Sequence, residues 1–200
     1  MKTPVILLAF SLILFQYSCQ KSIVKYETAI KSCVPVEKII KQGSGTMAYR
    51  IVPTDCILGA QLPAFEEKSM DGKMINRDYF AGKVSFINFW HIGCRPCEEE
   101  MPLLNQLVEK YKDQPVNFLA IGMNTVQDVP AFLLKHPFNF DHIPYGYSLT
   151  MDIFQLQWGN PLTLIVDRHL KIISIVQDKL DNTKMEKEII PIIDHALKKF

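Results

Sequence analysis

The chain has 200 residues, 48% of them hydrophobic and 22% charged, with a formal net charge of +1. That composition describes one globular domain with short additions and excludes fibrous and disordered classes. A near-neutral balance without a long basic stretch leaves no electrostatic footprint for nucleic acid.

The first residues, MKTPVILLAFSLILFQYSC, carry one lysine and then an apolar run from Val5 to Phe15. The run is too short for a permanent bilayer span and reads as an export signal covering residues 1–18. Ser18-Cys19 resembles the end of a bacterial lipobox, in which Cys19 is lipidated and becomes the mature N-terminus. Gln16 and Tyr17 depart from the strict pattern, which prefers an aliphatic and then a small residue there. Export implies an oxidising compartment, and removing Cys19 from the count leaves Cys33, Cys56, Cys94 and Cys97. Cys94 and Cys97 form the close pair, so Cys33 and Cys56 either pair with each other or remain two separate buried thiols.

Residues 19–55 form a weakly patterned lead-in or tether, with GSG at 43–45 as a turn between short elements. From Gln61 the pattern sharpens. In LPAFEEKSMDGKMI, Asp71-Gly72 takes the two-residue position of a tight hairpin, which predicts a small β-hairpin ahead of the main sheet. VSFINFW (84–90) and VNFLAIG (116–122) are apolar at nearly every position, as strands covered on both faces are. Between them Cys97, Met101, Leu104, Val108 and Tyr111 recur at helical spacing, completing a β-α-β unit. A second helix begins near Val126. LTLIVD (162–167) and KIISIVQ (171–177) read as an antiparallel pair across Arg168-His169. A last helix places Met185, Ile189, Ile193 and Leu197 on one face, with Pro191 expected to kink or split it.

This order, with C-x-x-C opening the first helix, resembles the thioredoxin fold: α/β, with a central mixed sheet flanked by helices. From Cys56 to the C-terminus the chain resembles the TlpA/ResA-like thiol-disulfide oxidoreductases of the bacterial envelope, in the AhpC/TSA-Redoxin superfamily. The resemblance rests on the G-x-x-x-P-x-F entry at Gly59–Phe65, Gly82-Lys83 before the strand, and Trp90 four residues before Cys94. It rests equally on C-R-P-C, on E-M-P at 100–102, and on Asn160-Pro161-Leu162-Thr163. A zinc ribbon would need a second C-x-x-C, which the sequence lacks.

At a helix start, unsatisfied N–H groups and the positive dipole end favour a thiolate, so Cys94 is the expected nucleophile. Cys97, one turn further, is placed to resolve a mixed disulfide. Pro96 stiffens the turn, and Arg95 either assists the thiolate and its client or is a plain exposed arginine. Glu98, Glu99 and Glu100 suit the dipole of the first turn. Glu100 also matches the active-site glutamate that the ResA-like resemblance implies, a proton shuttle for the inner thiol. Asn88 stands where cytosolic thioredoxins hold a buried aspartate and does not titrate. Pro102 is read as structural. The resemblance further makes Pro161 a cis-proline and places Trp90, Arg95, Pro96, Asn160 and Pro161 around the client. Gly93 replaces a tryptophan common in the family, which predicts a more open surface around Cys94.

The resemblance implies an exported reductase without a cofactor, acting in the cell envelope through Cys94 and Cys97. It would be recharged by a membrane electron donor of the CcdA or DsbD kind and would serve a disulfide-bearing client such as an apocytochrome c. One alternative is an envelope copper chaperone using the dithiol with His91, since soft thiolates and imidazole suit copper(I). Sco-type chaperones have a longer cysteine spacing, and His136, His142 and His169 read as solvent-facing loop residues. The other alternative, a thiol peroxidase, normally requires a threonine that HIGCRPC lacks.

Overall fold

The computed structural model describes residues 23–34, 36–42, 45–51, 55–156 and 159–198. The expected export signal and Cys19 lie outside the described residues. A short helix α1 (Tyr26–Lys31) opens the structure and is followed by an antiparallel pair, β1 (Val36–Gln42) and β2 (Gly45–Ile51). A single 3-10 turn (Asp55–Ile57) leads into the main body. The sequence predicts a turn at 43–45 between short elements, and β1 and β2 are those elements, which it does not identify as strands.

The expected hairpin forms from β3 (Glu67–Lys68) and β4 (Met74–Ile75). Its connection is longer than the two residues predicted, because the strands stop at Lys68 and resume at Met74. Within it the Gly72 N–H donates to the Ser69 carbonyl at 3.0 Å, with Gly72 at φ +85, a conformation that favours glycine. The Met70 N–H donates to the His142 carbonyl at 2.9 Å, and Lys73 pairs with Asp141, docking the hairpin on the sheet edge. A one-turn helix α2 (Arg77–Phe80), capped by the Asn76 side chain, precedes the sheet.

The central sheet takes β5 (Val84–Trp90), β6 (Val116–Gly122), β7 (Asp141–Ile143), β8 (Leu162–Val166) and β9 (Ile172–Gln177) in the order β7-β6-β5-β8-β9. β5, β6 and β7 run parallel, while β8 is antiparallel to both β5 and β9. Helix α3 (Arg95–Tyr111) joins β5 to β6, α4 (Asp128–Leu133) follows β6, and a π-helical turn (Leu149–Ile153) precedes β8. The chain ends with α5 (Asn182–Lys184), a π-helical turn (Met185–Ile189) and α6 (Ile190–Lys198). The widened turn ends where Pro191 brings a residue without a backbone donor, so the chain stays helical instead of splitting.

Strict alternation along β5 divides its side chains between two cores. Ile87 and Phe89 join α1, Phe80 and Phe154 on one side, while Phe86 and Trp90 meet α3 and α6 on the other. All seven residues of β5 are buried, which is why its sequence shows no polar face. On α3 the buried stripe includes Leu107, whereas Val108 is only partly covered. Tyr26 is fully buried, and its hydroxyl donates to the Phe154 carbonyl at 2.6 Å, so core residues begin well upstream of Cys56. The Cys33–Cys56 disulfide, with Cα atoms 5.3 Å apart, fastens the end of α1 to the 3-10 turn.

Candidate active site

The carboxyl end of β5 delivers the chain into α3 through His91-Ile92-Gly93. The Ile92 N–H donates to Asn124 Oδ1 at 2.6 Å, and the Met123 N–H to the Trp90 carbonyl at 3.1 Å, fixing this entry against the end of β6. Gly93 sits at φ +87 with open space where a Cβ would stand. The conformation, more than crowding, therefore accounts for glycine here. Cys94 is the N-cap of α3, and its Sγ accepts from the Cys97 N–H at 3.3 Å. Pro96 falls in the first turn, where its missing N–H costs nothing.

Cys94 and Cys97 form a disulfide with Cα atoms 5.3 Å apart. Cys94 retains 5% of its surface and Cys97 1%, so Cys94 is the more accessible residue of the pair although the site is less open than Gly93 suggests. Across a shared groove from Pro96, the Asn160-Pro161 peptide is cis, and the Asn160 amide points its Nδ2 at Met123 Sδ, 3.4 Å away. Pro96, Asn160, Pro161, Asp178 and Lys179 line a groove of about 380 Å³ beside the first turn of α3.

The three glutamates separate in role. Glu98 accepts from the Gly93 N–H at 3.0 Å. Glu99 bridges Lys179 at 2.7 Å and Arg95 at 2.8 Å, and these two cations hold its carboxyl below the usual range. Glu100 turns inward, with 1% of its surface exposed. Its Oε1 accepts from Asn88 Nδ2 at 3.0 Å and its Oε2 from the Leu180 N–H at 2.9 Å. Asn88 also donates to Thr163 Oγ1 at 3.2 Å, tying β5, β8 and α3 together. Burial pushes the Glu100 carboxyl up to about 7, against the opposing pull of the Leu180 and Asn88 donors and the charges of Lys179 and Lys184. A buried carboxyl that titrates near neutrality, three residues along the helix from Cys97, sits within reach of the inner sulfur's turn.

Of the residues expected around the client, Pro96, Asn160 and Pro161 line the groove, and Arg95 is exposed at its rim. Trp90 is not on that surface. It is fully buried against Phe132, Phe138 and His142, so it supports the site from below. A Cβ at Gly122 would meet its indole at 3.3 Å, which makes that glycine the space the ring needs. His142 also departs from the expected solvent-facing loop: it lies in β7, buried, with Nε2 on the Phe138 carbonyl at 2.8 Å, and burial lowers its pKa. His136 stacks on Phe132, and His91 Nδ1 lies 3.0 Å from the Ile92 carbonyl. Among the described residues no three His, Cys, Asp or Glu side chains are grouped to hold a metal. A larger cavity, about 670 Å³, lies between the β8–β9 turn and α6, at the opposite end of β8 from Pro161, and holds no nucleophile of the dithiol kind.

Lys179, Leu180 and Asp178 escaped the sequence reading. They lie some eighty residues from the dithiol, and the Leu180 contribution is a backbone N–H, which no side-chain motif records.

The AhpC/TSA family matches residues 58–175. Thiol-disulfide oxidoreductase ResA of Bacillus anthracis is 41% identical over 140 residues, spanning 67% of this chain and 79% of its own. ResA of Bacillus thuringiensis subsp. konkukian is 29% identical over 133 residues, spanning 65% and 75%. In fold the chain is similar to a thioredoxin-family thiol:disulfide interchange protein of Chlorobium tepidum, with a TM-score of 0.58 and 17% identity over 70% of this chain and 97% of that one. A thiol:disulfide interchange protein from Bacteroides sp. gives a TM-score of 0.59 at 18% identity, over 68% and 90%. The chain thus belongs to the AhpC/TSA family, as a TlpA/ResA-like thiol-disulfide oxidoreductase.

Proposed function

We propose that the protein is exported to the bacterial cell envelope, held at the membrane through a lipid on Cys19, and reduces disulfides in client proteins. The observation that carries this reading is the pairing of a helix-capping Cys94 with a buried Glu100 whose carboxyl titrates near neutrality, one turn beyond Cys97. In the reduced enzyme the Cys94 thiolate attacks one client sulfur, forming a mixed disulfide and expelling the other client sulfur as a thiolate. Cys97 then loses its proton to the Glu100 carboxylate and attacks the Cys94 sulfur. That step frees the second client sulfur and closes the Cys94–Cys97 disulfide, two electrons having passed from enzyme to client. The proton on Glu100 leaves to solvent or to a departing thiolate. A membrane dithiol of the CcdA or DsbD kind restores the reduced enzyme by the reverse exchange, and an apocytochrome c is a client of suitable chemistry.

The direction of flow follows from the charges around the first turn. The helix end, Arg95 and Lys179 favour the Cys94 thiolate, while Glu98, Glu99 and an ionised Glu100 offset them, so the thiolate is activated less than in a strong oxidant. Each 1.4 kcal/mol of differential stabilisation moves a two-electron potential by roughly 30 mV. Equilibration with glutathione is expected to give a low potential, and a value above about −150 mV would reject the reductant reading. With Cys97→Ala, mixed disulfides through Cys94 should accumulate, whereas Cys94→Ala should trap almost nothing. The opposite pattern would exchange the roles of the two sulfurs.

A further inference from the structure

The groove beside the dithiol carries an imbalance of charge. Lys179 and Arg95 both pair with the single Glu99 carboxylate, so with Glu98 and Asp178 the rim sets three carboxylates against two cations. Glu98 is tied to the Gly93 N–H. Asp178 lines the groove opposite Pro96, and its carboxylate has no hydrogen-bond or ion-pair partner among the described residues. Its backbone is equally specific. Asp178 stands at φ +104, a conformation rare for a residue with a side chain, and its N–H approaches the Pro161 carbonyl at 3.5 Å. The next two residues are fastened to α3, Lys179 through Glu99 and Leu180 through Glu100. A three-residue strap thus holds Asp178, exposed and unpaired among the described residues, at the groove that the cis-proline lines, where an extended client segment would run.

We infer that Asp178 sets the charge preference of the client groove, favouring substrates with lysine or arginine within two residues of the reacting cysteine. The inference rests on the reductase reading and adds a substrate class to it. A charge pair in a solvated groove changes rates modestly, by about two- to fivefold, and weakens with salt.

The test uses the reduced enzyme and two disulfide-linked peptides that differ only in carrying Lys or Glu two residues from the cysteine. At low salt kcat/KM should favour the Lys peptide by about two- to fivefold, and the ratio should shrink at roughly 0.5 M salt. Asp178→Asn, which removes the charge but tolerates the positive φ, should bring the ratio near one. Asp178→Gly should do the same, and Asp178→Lys should invert it. A ratio near one in the unmodified enzyme, with both peptides reduced, would overturn the inference and leave the reductase reading standing. A preference that survives Asp178→Asn and vanishes in Glu98→Gln would assign it to the other acid. Preference for the Glu peptide would make Arg95 the selector. Reduction of neither peptide would overturn both readings.

Discussion

Asn88 Nδ2 donates to Glu100 Oε1 at 3.0 Å in a site closed to solvent, so the strand contributes a fixed donor and the helix a titratable acceptor. The same Asn88 amide is held by Thr163, and Leu180 occupies the second carboxylate oxygen. In the proposed mechanism this arrangement holds the group that takes the inner thiol's proton.

Glu100→Gln should keep the fold while shifting the thiol titration and slowing disulfide exchange near neutral pH by at least about tenfold. It should also change how stability depends on pH. Because the folded carboxyl is raised from 4.5 to about 7, the folded state holds a proton that the unfolded chain releases. That stabilisation is complete below the unfolded pKa and is lost as pH rises through about 7, a span worth on the order of 3 kcal/mol. Denaturation at pH 5 and pH 8 should show a marked fall for the unmodified protein and a flatter profile for Glu100→Gln. Equal slopes and equal exchange rates would make Glu100 an ordinary helix-end residue.

Asn88→Asp replaces the donor with a second carboxyl at hydrogen-bond distance. Two buried acids so close share one proton, so the pair should bind a proton well above pH 7. The variant should lose roughly 2 to 4 kcal/mol at pH 8, where ionising both is most costly, and much less at pH 5. Stability that is independent of pH in this variant would argue against the contact.

The Cys33–Cys56 bond closes a loop across 23 residues. Restricting the unfolded chain in this way contributes roughly 3 kcal/mol, so the Cys33→Ala, Cys56→Ala double variant should unfold at correspondingly lower denaturant. Peptide mapping without reduction should recover the two cysteines linked.

Cys19→Ala should abolish metabolic labelling by a fatty-acid analogue and release the protein from the membrane fraction. Labelling that persists in the variant would place the lipid elsewhere.

Residues legible in the sequence are those whose chemistry and spacing are local. Cys94 and Cys97 announce themselves by being three apart at a helix start, and β5 by an unbroken apolar run between turn signals. Asn88 and Glu100 were legible through the family resemblance, which implies an active-site glutamate three residues after Cys97 and a buried aspartate where Asn88 stands, while their contact with each other was not. Trp90 and His142 were misplaced toward the surface for the opposite reason. An indole and an imidazole each fit a wet surface or an aromatic core, and only the packing of Phe132 and Phe138 around them decides. The length of the β3–β4 turn was lost because Asp71-Gly72 serves a two-residue turn and a longer one equally well. Asp178 is the extreme case, since nothing around it in the chain distinguishes a surface aspartate from one held beside a cis-proline.

The burial of Tyr26, sealed by its bond to Phe154, also sets a length. Seven residue steps separate Cys19 from Tyr26, and fully extended they reach about 24 Å. Were Cys19 the lipid anchor of the proposed function, Tyr26 would lie no more than about 24 Å from it. The protein's encounters would then become a search in two dimensions, selecting clients and electron donors that are themselves at the membrane surface over those diffusing freely beyond it.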